Sequence, residues 1–119
     1  MKERKTILQE LSAWGVPMEE TLERFVDDDE LYVDCLFKFI EDDNFPLLEE
    51  AIKTENYDQA FNAAHTLKGV SGNLGLTSLS AVIINMVEAF RKGEYGGKEE
   101  QYAQIIAQQE KLKQVLGVE

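Results

Sequence analysis

His65 is the only histidine in a chain of 119 residues, and its neighbours suit a nucleophile. Phe61 lies four residues before it, Lys68 three after, Gly69 four after and Gly72 seven after. Residues three and four apart are neighbours on a helix, about 5–6 Å between Cβ atoms. In helical conformation these five therefore share one face. An imidazole is largely neutral near pH 7 and offers a ring-nitrogen lone pair without an adjacent base. A phosphoryl group placed there brings negative charge, and the Lys68 ammonium, one turn away, can offset part of it. Gly69 and Gly72 keep the surface flat beside the ring, so another protein's active site can come close. Each costs a helix about 1 kcal/mol relative to alanine, so each needs a reason. Phe61 offers such a partner an apolar anchor. No cysteine pair or evident base–nucleophile couple accompanies His65. That fits a substrate of other active sites better than a self-contained one.

Positioning these groups requires a helix over about residues 56–75. Tyr57, Ala60, Ala64, Leu67, Ser71 and Leu74 fall on one arc at helical spacing, and His65 points away from it. Asn56 reads as an N-cap, with Gln59 three residues on as in a capping box. Local evidence also permits other readings. Gly69 could be a C-cap with Val70–Gly75 a loop, Phe61 could turn into a bundle edge, and Lys68 could be an ordinary solvated charge.

The other segments are helical in spacing too. Residues 2–14 carry Ile7, Leu8, Leu11 and Trp14, and Gly15-Val16-Pro17 breaks the pattern. A short helix over about 18–26 offers Leu22, Phe25 and Val26. Asp27-Asp28-Asp29-Glu30 opens the next, where negative side chains favour the positive end of the helix dipole. Its expected core face is Leu31, Cys35, Leu36, Phe39 and Ile40; Leu47, Leu48, Ala51 and Ile52 follow, past Asn44 and Pro46, as a bent continuation. Thr77 is expected to cap a helix bearing Leu79, Val82, Ile83, Met86 and Phe90, stopped by Gly93. After a Gly96-Gly97 turn, the last helix presents Tyr102, Ile105, Ile106, Leu112, Val115 and Leu116. Four amphipathic helices on short loops predict an all-α, antiparallel up-down four-helix bundle over about 29–116. Residues 1–28 would form short helices packed across one end, making 1–119 a single domain.

Composition narrows the partners. Twelve basic against 23 acidic residues give a formal net charge of −11, and no basic patch interrupts it. Such a field repels nucleic acid and anionic lipid, so a protein or small molecule is the expected partner. The acidic runs Asp27-Asp28-Asp29 and Glu41-Asp42-Asp43 lack the alternating ligands and sixth-position glycine of a calcium loop. No metal or cofactor is therefore expected. Cys35, the lone cysteine, reads as a small buried hydrophobe. With no run of about 18 apolar residues and no signal-peptide core, a cytoplasmic monomer is the default expectation.

The segment Ala64-His65-Thr66-Leu67-Lys68-Gly69-Val70-Ser71-Gly72-Asn73-Leu74-Gly75 closely resembles the signature of histidine-containing phosphotransfer (HPt) domains. There, His-x-Leu-Lys-Gly is followed by small residues and then Asn-Leu-Gly. Gly15-Val16-Pro17, Asp29-Glu30-Leu31-Tyr32 and Leu79 extend the likeness, and residues 1–12 match least. The resemblance implies a four-helix bundle whose exposed histidine accepts phosphate from one receiver-domain aspartate and passes it to another. His65 would then be the phosphorylated residue, Lys68 its charge partner and Gly69 the small residue admitting the receiver. Receivers, or a histidine kinase (hybrid kinases included), would supply Mg²⁺ and the catalytic groups. Family members often place a polar side chain from the following helix near the histidine. Here that position holds Val87, leaving Asn85 and Glu88 as candidates.

Overall fold

Seven helices and no strand make up residues 2–118, the part of the chain that the computed structural model describes. Three come first: α1 (Arg4–Ala13), α2 (Met18–Arg24) and α3 (Asp29–Phe39). Four more, α4 (Asn44–Lys53), α5 (Tyr57–Asn73), α6 (Thr77–Arg91) and α7 (Lys98–Leu116), run alternately up and down. Each packs on the next, and α7 returns against α4. Tyr57, at the start of α5, stacks on Tyr95 just past the end of α6. Tyr102, early in α7, donates to Glu49, midway along α4, at 2.9 Å. The first pair joins the start of one helix to the end of the next, as antiparallel neighbours require. The helical bundle predicted from spacing is the fold.

One contiguous buried cluster fills the bundle, including Tyr32, Leu36, Leu48, Leu67, Ile83, Met86, Ile105 and Leu112, and it extends to Ile7, Leu11 and Val16. Lys2 Nζ donates to the backbone oxygens of Gln114 and Val115 at 3.0 Å, so α1 sits at the end where α7 finishes. No helix among the described residues is long and apolar enough to cross a membrane.

Several local expectations shift. The predicted bent helix over α3 and α4 is two helices. The Asp42 carboxylate accepts from the Asn44 amide at 2.8 Å and from its side chain at 2.9 Å. That starts α4 afresh, with Pro46 in the first turn, where its missing N–H is harmless. Asp28 caps α3, accepting from the Leu31 amide at 3.0 Å. Leu31 itself is 44% exposed, because α3 buries Tyr32, Val33, Leu36 and Phe39 instead. The arcs through Leu31 and through Tyr32 differ by one residue, and the larger side chain takes the interior. Val26 is 81% exposed, turned out by a left-handed φ of 50° between α2 and α3. Leu47 is likewise exposed, and Cys35 is half-buried. Thr77 does not cap α6. It is the first helical residue, and its hydroxyl donates back to Gly75 O at 3.3 Å. Gln109, polar in sequence, is buried and donates to Ile40 O at 3.1 Å, satisfying a carbonyl just past α3.

Candidate functional site

The site helix, α5, begins as its sequence indicates. Asn56 accepts from the Gln59 amide at 3.2 Å, and its side-chain amide donates to Gln59 Oε1 at 3.2 Å. Ala60, Ala63, Ala64, Leu67 and Ser71 are buried. The hydroxyls of Thr66 and Ser71 donate to carbonyls of the same helix, at 3.0 and 3.1 Å, so neither is left unpaired. α5 continues through Gly69 and Gly72 to Asn73, which removes the alternative of a loop over Val70–Gly75. It stops at Gly75, where φ is +71°. The Leu76 amide donates to Ser71 O at 3.0 Å and the Gly75 amide to Gly72 O at 3.1 Å, the paired bonds of a Schellman C-cap. Glycine is needed at position 75 on two counts, since a Cβ there would also collide with the Thr21 side chain.

On the opposite face of α5, His65, Gly69 and Gly72 are exposed, and Phe61 and Lys68 are half-exposed. Phe61 packs on the core edge yet also stacks on His65, with ring centroids 5.8 Å apart and planes inclined by 30°. Phe61 thus turns partly into the bundle edge while one side of its ring stays against the histidine. Beyond it, the Arg91 guanidinium sits 5.7 Å from the Phe61 centroid and is held by Glu88 at 2.7 Å. Lys68 takes part in none of the ion pairs among the described residues, leaving its ammonium free for an incoming anion.

The two glycines are informative. A Cβ added at Gly69 or Gly72 would meet nothing within 4 Å. Packing within this chain thus gives no reason for either, although each weakens the helix by about 1 kcal/mol.

On α6, Val87 is fully buried and Glu88 is engaged with Arg91. Asn85 is exposed, and neither it nor Glu88 is hydrogen-bonded to the imidazole. The α6 side chain over the Phe61 ring is Arg91. Sequence reading missed it. Its signal was the Glu88–Arg91 spacing of three, which says nothing about contact with another helix. Among the described residues no group of three His, Cys, Asp or Glu stands close enough to hold a metal ion. An exposed imidazole beside the Lys68 ammonium can carry a group between other active sites.

No curated protein and no solved structure matches the chain. The family profile of the Hpt domain does match, over residues 38–116, about two-thirds of the chain. That span runs from the end of α3 through α4, α5 and α6 to the end of α7, and so contains the whole His65 face. On that match the chain belongs to the Hpt domain family, whose members serve two-component phosphotransfer as phosphohistidine carriers rather than catalysts.

Proposed function

We propose that His65 accepts a phosphoryl group from the aspartyl phosphate of a receiver domain, or from a histidine kinase, and delivers it to a response-regulator aspartate. In the accepting step a ring-nitrogen lone pair attacks phosphorus. The N–P bond forms as the P–O bond to aspartate breaks, and that electron pair leaves with the carboxylate. The other ring nitrogen keeps its proton. Delivery is the reverse reaction on a second receiver. Lys68 offsets the charge of the bound phosphoryl group, Phe61 orients the ring, and Gly69 and Gly72 admit the receiver. Asn85 and Glu88 of α6 are the candidates for polar support of the histidine, Glu88 through its ion pair with Arg91. The partner brings Mg²⁺ and the catalytic groups.

One observation carries this reading: an exposed histidine lies beside two helical glycines that no intramolecular contact requires. We further propose that 1–119 is one folding unit, with residues 1–28 packed on the bundle of 29–116, acting as a monomer. The large exposed apolar side chains are Val26 in the turn after α2, Leu31 on α3, Leu47 on α4 and Ile84 on α6. The test is to mix the protein with a phosphorylated receiver domain and Mg²⁺ and look for an acid-labile, alkali-stable adduct by ³¹P NMR. An adduct in wild type but not in His65→Gln is the expected result. Receiver binding without an adduct would leave a docking adaptor as the better account.

A further inference from the structure

The last turn of α5 is a weak place to put a docking surface. Gly69 and Gly72 both lie within its final five residues, and its closing carbonyls have no partners inside the helix beyond those of the C-cap. Side chains from outside the site hairpin hold it. Arg24, the last residue of α2, donates from Nε to Asn73 O at 3.1 Å and from Nη2 to Gly72 O at 3.4 Å. Tyr32 of α3, fully buried, donates its hydroxyl to Leu74 O at 2.7 Å. Thr21 of α2, also fully buried, lies so close to Gly75 that no Cβ fits between them. Phe25 joins the two clamping helices, its ring centroid 5.2 Å from that of Tyr32. Three consecutive carbonyls, at 72, 73 and 74, are thus bound by two side chains that lie outside the span matched by the family. A guanidinium at this end also opposes the negative pole of the helix dipole.

We infer that Arg24 is a positioning residue for phosphotransfer, which together with Tyr32 keeps the Gly69–Asn73 strip helical and flat for the receiver. The inference rests on the carrier reading of His65. It makes α2 part of the working site, although α2 contributes no group to the chemistry. Losing the clamp leaves the imidazole and Lys68 untouched and loosens only the surface on which a receiver settles. Receiver transfer should therefore suffer where a small phosphoryl donor does not.

The test compares wild type, Arg24→Gln and Arg24→Lys with two donors, phosphoramidate and a phosphorylated receiver domain. In Arg24→Gln, labelling of His65 by phosphoramidate should match wild type. The receiver concentration giving half-maximal transfer should rise about three- to fivefold, the scale of a lost cation at a helix end, while the saturated rate holds. Amide exchange from Gly69 to Leu76, the strip and its C-cap, should quicken without change in α5 before Gly69. Arg24→Lys, which keeps the cation, should recover most of both effects. A wild-type half-saturation value in Arg24→Gln would overturn the inference, as would faster exchange throughout the bundle, which would mark a merely structural residue. Wild type that takes no phosphoryl group on His65 from either donor would overturn the carrier reading itself, and the inference with it.

Discussion

Helices α5 and α7 are the two longest of the bundle, yet they are built on opposite terms. α7 covers its outer side with Gln, Lys and Glu, keeps glycine outside its span, and closes on Gly117 in the left-handed region at φ +79°. α5 carries two interior glycines with empty space above them, an exposed imidazole and a half-exposed phenyl ring. Propensity accounts for every outward residue of α7 and fails for α5 at Gly69 and Gly72. The difference teaches where to look for function: a helix that gives up intrinsic stability with no intramolecular return is shaped for a partner.

Replacing His65 breaks the comparison hardest. His65→Gln should abolish phosphoryl incorporation while the thermal midpoint stays unchanged, since the side chain is exposed; ³¹P NMR and a circular-dichroism melt read the two quantities. Next come opposite substitutions on the two helices. Gly69→Gln should stabilise the fold by about 0.5 kcal/mol yet slow receiver transfer by about a hundredfold through misplacement of the docked active site. Gln104→Gly, at an exposed position of α7, should cost about 0.5 kcal/mol and leave transfer alone. Urea unfolding together with transfer assays would expose the contrast as empty if both variants moved both properties in the same direction. Gly75→Ala should destabilise by about 2 kcal/mol, because a side chain there combines a left-handed backbone with the Thr21 collision. Equal stability in urea would contradict the packing at the end of α5.

The smallest effect lies on the α7 side. Hydrogen bonds from Tyr102 and from Lys53, together with the Lys53 charge, hold the Glu49 carboxyl below its usual range. A carboxyl lowered in the folded state adds stability above its ordinary value, and that stability is lost as pH falls through the lowered one. Tyr102→Phe should let Glu49 titrate nearer the ordinary carboxylate value, as read by ¹³C NMR, with no change in transfer.

The His65 face was legible because helical spacing and chemistry coincide there. Phe61, Lys68, Gly69 and Gly72 are related to His65 by intervals that any helix turns into proximity, and the Asn56 cap fixed where that helix starts. Arg91 and Arg24 were not legible. Their partners lie on other helices, 30 residues from Phe61 for the one and 48 and 49 residues from the carbonyls of Gly72 and Asn73 for the other. Leu31 and Val26 were assigned to the interior because an apolar residue at a plausible phase looks buried. The Tyr32 hydroxyl reaching Leu74 O and the left-handed turn after α2 settled those phases instead.

Sequence alone determined the local terms: helices from periodicity, helix ends at Asn56 and Gly93, and the group of side chains around the single histidine. Tertiary structure decided what those terms could not contain. It showed that no other described element comes within 4 Å of a Cβ placed at Gly69 or Gly72, that Val87 is sealed in the core, and that α2 and α3 hold the end of the site helix. The physical reason is range. Helix formation and side-chain proximity along one helix act over three or four residues, whereas burial and carbonyl capping depend on which distant segments packing brings together.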